Sequence, residues 1–272
     1  MKGIVFYKMT GSGNDFVLLD GRTTAVAEWP AASIVDVCDR RLGVGADGLV
    51  ILTPVAAGSV RMDFFNCDGS RAAMCGNAAL CSTRLSAHLE MAPATGMRLV
   101  TGAGTFTTRC RVEPELAELN LPDFPAPQLV GSIRPAAGEG PTSFATVGVP
   151  HLVVPVEDIE RADLMTRGRE LRNHSAIAPA GANVNFVATP AGKAGAWPVR
   201  TYERGVEGET LACGTGAVAV AAALALTGRA SLPLEIRTRG GRCLRISAAL
   251  ENGSVRDVWL AGEGRLVFTG VL

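Results

Sequence analysis

Net charge is the first thing this 272-residue sequence lacks: its 26 basic and 26 acidic residues cancel, and neither sign gathers into a run. A chain so balanced has no electrostatic means of holding nucleic acid or an anionic membrane surface, so a small-molecule partner is expected. Long hydrophobic runs are missing too. The longest, Ala217 to Leu226, is a short stretch made mostly of alanine, whereas about 20 residues are needed to cross a bilayer, so it predicts a buried helix and no membrane span. Histidine is limited to His88, His151 and His174, and no two cysteines show the close spacing of zinc ligands, which argues against a metal centre. Lysine is limited to Lys2, Lys8 and Lys193, none in a convincing site motif, which argues against a Schiff-base cofactor such as pyridoxal phosphate. The seven cysteines are odd in number and irregular in spacing, unlike a secreted disulfide framework. The apolar stretch after Met1 is too short for a signal peptide, so a cytoplasmic protein without cofactor or metal is expected.

Alternating and β-branched runs predict strands at 3–7, 16–20, 49–52, 60–65, 98–101 and 105–112, with helices at 31–41 and 77–88. The second half repeats this grammar, with strands at 142–147, 152–156, 184–188, 198–203, 234–237, 244–248 and 258–260 and helices at 158–169 and 214–227. Pro122, Pro125 and Pro127 exclude helix and interior strand and mark a boundary. The expected organisation is therefore an N-terminal domain over 1–120, to which a last strand at 262–272 returns, and a C-terminal domain over 121–261.

The halves resemble one another. Gly11 to Val17 and Gly181 to Val187 share the pattern G-small-x-x-[D/N]-F-V, and Asn66 and Arg204 stand equally far ahead of Cys75 and Cys213. Cys75-Gly76-Asn77 and Cys213-Gly214-Thr215 then each open a helix. A thiol at a helix start lies beside unpaired N–H groups and about half a unit of positive charge, which favours the thiolate. The same N–H groups can hold a carboxylate, and glycine lets them approach closely. Two such thiols flanking one carboxylate are what inversion of an amino-acid α-carbon requires, one acting as base and the other as acid on the opposite face.

Other features have plainer explanations. Gly43-Val-Gly-Ala-Asp-Gly48 fits G-x-G-x-x-G, but helix precedes it and strand follows it, the reverse of a dinucleotide site, so it reads as a glycine-rich turn. Cys38, Cys81, Cys110 and Cys243 read as small buried hydrophobes, and Cys67 as an exposed turn residue. Asn14, Asn66 and Asn183 are good turn formers, and His151 beside Pro150 suits a core histidine as well as a site residue. Glu203-Arg204, at a strand end just before the turn to Cys213, can meet the ammonium and carboxylate of a zwitterion.

Taken together, these motifs resemble the diaminopimelate epimerases of the cofactor-independent amino-acid racemase superfamily. The resemblance runs the length of the chain, through Gly11 to Phe16, Gly43 to Asp47, Phe65-Asn66, Met74 to Asn77, Pro150-His151, Asn183 to Phe186, Tyr202 to Gly205 and Glu209 to Gly216. It implies an α+β fold of two pseudo-symmetric domains, each a mixed β-barrel wrapped around a central α-helix, with the active site in the cleft between them and a homodimeric assembly. It makes Cys75 and Cys213 the acid/base pair, with Gly76, Asn77, Gly214 and Thr215 on the reacting carboxylate. Asn14, Asn66, Asn183, Glu203 and Arg204 would hold the amino groups and distal carboxylate, and His151 and Glu203 would tune the thiols. Gly48 stands where many members have Gln, Val149 where many have Asn, and Leu80 where many have Arg; an extra residue lies in 205–209. Those departures leave three readings of the substrate-binding site: LL- to meso-diaminopimelate epimerisation, racemisation of another amino acid, and amino-acid binding without catalysis.

Overall fold

One succession of elements is built twice in the computed structural model of this chain, which describes residues 3–192 and 195–272, so that Lys2 and Lys193 lie outside the described residues. Met1–Asn120 with Ala261–Leu272 form one compact unit, and Leu121–Leu260 form the other.

In the first unit, β1 (Val5–Gly11) and β2 (Asn14–Asp20) make an antiparallel hairpin. Its tip, Ser12-Gly13, has φ of 52° and 112°, the positive values that a two-residue hairpin turn needs to match strand twist. Helix α1 (Ala31–Cys38) carries the chain to β3 (Gly48–Ala56), which runs parallel to β2 with Phe16 opposite Gly48. β4 (Ser59–Asn66) returns antiparallel to β3, and β5 (Arg71–Ala72) folds back on its end. After α2 (Gly76–His88), β6 (Met97–Thr101) lies parallel to β4, followed by antiparallel β7 (Gly104–Cys110) and β8 (Leu116–Leu121).

The second unit opens with short β9 (Phe124–Pro125) and β10 (Gln128–Leu129) and then repeats the pattern. The hairpin is β11 (Ser143–Val147) and β12 (Val149–Val156), and α3 (Leu164–Arg172) leads to parallel β13 (Asn183–Ala188). β14 (Trp197–Glu203) and β15 (Gly208–Thr210) return antiparallel, and α4 (Gly214–Leu226) follows. β16 (Leu234–Arg237) is parallel to β14, and β17 (Cys243–Glu251) is antiparallel to β16. β18 (Ser254–Glu263) leads to β19 (Arg265–Val271), which pairs with β1 in the first unit.

Both units are mixed-sheet structures in which strands surround one helix. α2 packs against β1, β2, β3, β4, β6, β7 and β19, and α4 against β11, β12, β13, β16 and β17. Enclosure of α4 is legible in its sequence: Gly216 to Leu224 is buried on every side, as a helix without a polar stripe must be. α2 reaches the same burial with polar residues, because the Ser82 and Thr83 hydroxyls donate to the carbonyls of Ala78 and Ala79 at 2.7 and 2.8 Å. α1 and α3 cover the outer sheet faces through separate apolar clusters containing Trp29 and Ile34, and Leu164 and Leu171.

The structure corrects several sequence expectations. The shared pattern sets Gly11–Val17 against Gly181–Val187, which would match β2 with β13. Pairing shows instead that β2 corresponds to β12 and β3 to β13, each couple parallel and joined by an outer helix. Asn66 corresponds to Glu203, one residue before the expected Arg204, because the extra residue sits in the β14–β15 turn. α3 begins at Leu164, well after position 158, since Asp163 supplies the N-cap by accepting from the Thr166 N–H at 3.1 Å. Cys243 is exposed and Cys110 only half-buried, while Cys38 and Cys81 are buried. Replacing Asp163 with Ala is expected to cost about 1 kcal/mol of stability, read as a lower urea midpoint at unchanged slope.

Candidate active site

Cys75 is the N-cap of α2, with φ −142° and ψ 123° and no side-chain cap bond. The first intrahelical bond runs from the Ala79 N–H to the Cys75 carbonyl at 2.9 Å, so the amides of Gly76, Asn77 and Ala78 precede the helical ladder and point along its N-terminal axis. Gly11 allows this end of the helix to sit against β1: a Cβ there would lie 2.9 Å from the Asn77 carbonyl oxygen. The Asn77 carboxamide donates to Asn14 Oδ1 at 2.7 Å, and Asn14 Nδ2 donates to Asp47 Oδ2 at 2.9 Å. A carboxylate only accepts, so Asn14 must turn its nitrogen to Asp47 and its oxygen to Asn77. Arg40 then bridges Asp47 and Asp15, and Lys8 donates to Asp15 and to the Gly45 carbonyl. Those cations hold the Asp15 carboxyl below its ordinary range although burial opposes them. Asn77 Oδ1 and the Ser12 hydroxyl, buried beside this helix start, have no hydrogen-bond partner among the described residues.

Cys213 takes the matching position on α4, with φ −134° and ψ 108°, and the Ala217 N–H donates to its carbonyl at 2.9 Å. Its surroundings differ from those of Cys75. Thr215 Oγ1 lies 3.8 Å from the Cys213 sulfur and 3.1 Å from His151 Nε2. On the other side of the ring, Asn185 Nδ2 lies 3.3 Å from His151 Nδ1 and donates to the Leu152 carbonyl at 2.9 Å, while Thr201 donates to Asn185 Oδ1 at 3.0 Å. His151 is fully buried, and burial first, then the charge of Arg204, pushes its imidazole down to about 3, so it is neutral at physiological pH. Burial raises the Glu203 carboxyl above its ordinary value, with the neighbouring Thr210 opposing the shift.

The expected site residues fall into two groups. Asn14, Gly76 and Asn77 gather at Cys75, and His151, Gly214 and Thr215 at Cys213. The others are tied into nearby turns. Asn66 Nδ2 donates to Ser70 Oγ at 2.9 Å, Asn183 Oδ1 accepts from the Arg204 N–H at 2.8 Å, and the Arg204 guanidinium donates to the Ala180 carbonyl at 3.2 Å. Gly48 is a packing residue, since a Cβ there would sit 2.6 Å from the Phe64 ring. Gly43 to Gly48 forms the α1–β3 turn, with the Val44 and Gly45 amides donating to the Val37 carbonyl. Asn185 was missed by sequence reasoning. Its signal was an asparagine on the same strand face as Asn183, two residues on, in an otherwise apolar run. No group of three metal-ligating side chains, and no helix long and apolar enough to cross a membrane, occurs among the described residues.

The diaminopimelate epimerase family profile matches residues 6–118 and 143–256. The chain is 45% identical over 280 residues to a diaminopimelate epimerase of Gemmatimonas aurantiaca, covering 97% of this chain and 98% of the relative. It is 36% identical over 277 residues to that of Aquifex aeolicus, covering 98% and 97%. Among solved structures, a PhzF-family phenazine biosynthesis protein of Bacillus anthracis matches with a TM-score of 0.71 at 13% identity, covering 100% of this chain and 99% of the other. A probable proline racemase of Agrobacterium radiobacter K84 matches at 0.68 and 18%, covering 99% and 92%. These two likenesses establish the α+β fold alone.

Burial of a neutral His151 makes stability depend on pH. Between about 6.5, the ordinary value, and about 3, the unfolded chain binds a proton that the folded chain refuses, so stability is lost as pH falls through that window. The limiting slope is about 1.4 kcal/mol per pH unit. His151→Gln is expected to flatten the dependence of unfolding free energy on pH between pH 4 and 7 in urea titrations; equal slopes in parent and variant would contradict the assignment.

Proposed function

This chain belongs to the diaminopimelate epimerase family and is accordingly an isomerase; we propose that it interconverts LL- and meso-diaminopimelate with Cys75 and Cys213 as its acid/base pair. The observation that carries this reading is that the two cysteines are N-caps of the corresponding central helices in the two repeats. One thiolate takes the α-proton, and the electron pair left on carbon delocalises into the substrate carboxylate. The other thiol returns a proton on the opposite face. After one turnover the two sulfurs have exchanged protonation states, so the reverse reaction starts from the complementary form. Backbone amides of Gly76, Asn77, Gly214 and Thr215 suit the carboxylate, whose charge grows as the proton leaves, and fixed donors of this kind act most strongly on such developing charge.

Asn77 Oδ1 and Ser12 Oγ, two of the seven buried side-chain polar atoms without a hydrogen-bond partner among the described residues, are suited to an ammonium group. Glu203 and Arg204 supply opposite charges on the turn before Cys213, and Asn66 and Asn183 occupy matching ends of the strands that precede or flank those turns. The reading requires no cofactor or metal and makes the protein a cytoplasmic homodimer, which sedimentation velocity would test. Gly48 lowers the weight of the competing reading, racemisation of another amino acid, because its side-chain space is filled by Phe64 and is no lost polar contact.

Incubation with LL-diaminopimelate in deuterium oxide is expected to place deuterium at the α-carbon of the meso product. Cys75→Ala and Cys213→Ala should each lower epimerisation by at least about 10²-fold, the scale of one lost acid/base group. Deuterium exchange into a different amino acid alone would transfer the reading to another racemase, and binding without exchange would make the protein a non-catalytic binder.

A further inference from the structure

The two units treat the layer beneath their central helices differently. In the first unit, Phe16, Val50 and Phe64 occupy the register positions that His151, Asn185 and Thr201 occupy in the second. The Phe16 and Phe64 rings stack edge to face, with centroids 5.9 Å apart. Position 78, after the Cys75 motif, is alanine, whereas the corresponding position after Cys213 is Gly216. That glycine is required by Asn185: a Cβ on Gly216 would stand 2.3 Å from Asn185 Oδ1. A buried carboxamide has thus displaced apolar packing in one repeat, and its helix has given up a methyl group to admit it.

The orientation of Asn185 follows from its partners. The Leu152 carbonyl can only accept, so the Asn185 nitrogen must face it, and the oxygen then faces the Thr201 hydroxyl. The second hydrogen on Nδ2 is directed at His151 Nδ1. An imidazole nitrogen that receives a hydrogen bond cannot itself carry the proton, so Nε2 carries it and donates to Thr215 Oγ1. With its oxygen accepting from His151, Thr215 retains its own proton for the Cys213 sulfur.

We propose that Asn185 is a positioning residue that fixes His151 as the Nε2–H tautomer and thereby turns the Thr215 hydroxyl proton toward Cys213. The inference rests on the two-thiol reading above and deepens it: the relay stabilises a thiolate at Cys213 by a charge-assisted hydrogen bond, from a polar layer whose register positions in the first unit hold Phe16, Val50 and Phe64. Asn185, His151 and Thr201 are all buried at 4% exposure or less, so water does not compete for these bonds.

Nitrogen-15 labelling of histidine tests the proposal on the intact protein, because only three imidazoles contribute. Long-range proton–nitrogen spectra of the parent at neutral pH are expected to show His151 with its proton on Nε2; a proton on Nδ1 would overturn the proposal. Asn185→Asp offers only acceptors to Nδ1 and should place a proton there. Nε2, if left bare, then takes the Thr215 proton, and if protonated as well leaves an imidazolium paired with the new carboxylate. A bare Nε2 lowers kcat by about ten- to a hundredfold with little change in KM, whereas an imidazolium still donates through Nε2 and leaves the relay and kcat in place; full kcat with Nε2 bare, or a lost kcat with Nε2 protonated, would overturn the relay. A folded Asn185→Asp variant that keeps the parent tautomer would refute the role of Asn185. Should that variant not fold, Thr215→Val decides: kcat should fall by about tenfold or more with the His151 tautomer unchanged, and an unaltered kcat would overturn the relay. The tautomer is read without substrate. An expected tautomer in a chain that does not turn over diaminopimelate would therefore fail the functional reading alone, and turnover with the other tautomer would fail only this inference.

Discussion

A helix enclosed by strands on all sides can meet polar groups only at its ends, and much of this chain follows from that constraint. Gly216 to Leu224 in α4 and Asn77 to Thr83 in α2 are buried without a solvent-facing stripe. The backbone dipoles of such a helix are unscreened along its length, and the amides of its first turn are the one place where they can be answered by a ligand. Setting a cysteine at that end gives a thiol whose ionised form the helix favours. Setting glycine after it keeps the amides open to an anion. Both units make the same choice, which is the symmetry that the proposed two-thiol chemistry needs.

The supports behind the two thiols are not even-handed. At Cys75 the helix start is held through Asn77 and Asn14 to a charged network of Asp47, Arg40, Asp15 and Lys8, while the layer beneath is aromatic. At Cys213 the register positions of Lys8, Asn14 and Asp15 hold Phe144, Val149 and Pro150, and a neutral chain of Thr215, His151, Asn185 and Thr201 runs through the core. A buried polar chain of this sort is acceptable only when its members are satisfied, since each unpaired group would cost about 1–3 kcal/mol. Gly216 and Asn185 therefore act as one unit: alanine at 216 would displace the carboxamide, and an apolar residue at 185 would take from His151 Nδ1 and the Thr201 hydroxyl the partner they share.

Much of the fold was legible in the chain. The helix 214–226 was readable from its unbroken small apolar run, the first-unit strands from alternation, and the two cysteines from the Cys-Gly junctions that open each helix. What went astray depended on partners distant in sequence. α3 was expected to begin at Asp158 and begins at Leu164, because the residue whose carboxylate accepts from a helix amide is Asp163, bonded to the Thr166 N–H. The repeat was matched strand for strand one step out of register because β2 and β13 both leave glycine turns into an Asx-Phe-Val run. Parallel pairing, invisible locally, matches β2 to β12. Asn185 stood in plain view beside Asn183, yet its importance lies in bonds to residues 34 and 16 positions away.

The amino-acid order by itself determined the helices and strands, the cysteine and glycine at each helix start, and the absence of any charged surface suited to a polymer. These follow from near neighbours, because side-chain period, capping and backbone freedom act over a few residues. Tertiary structure alone decided which nitrogen of His151 faces which partner, that Gly48 makes room for Phe64, and that one thiol rests on an aromatic layer and the other on a polar one. The layer outcome is one of equivalent register positions, aromatic in the first unit and polar in the second; like the others it depends on strand register and on the direction of buried hydrogen bonds, and both are fixed only when segments far apart in the chain are brought side by side.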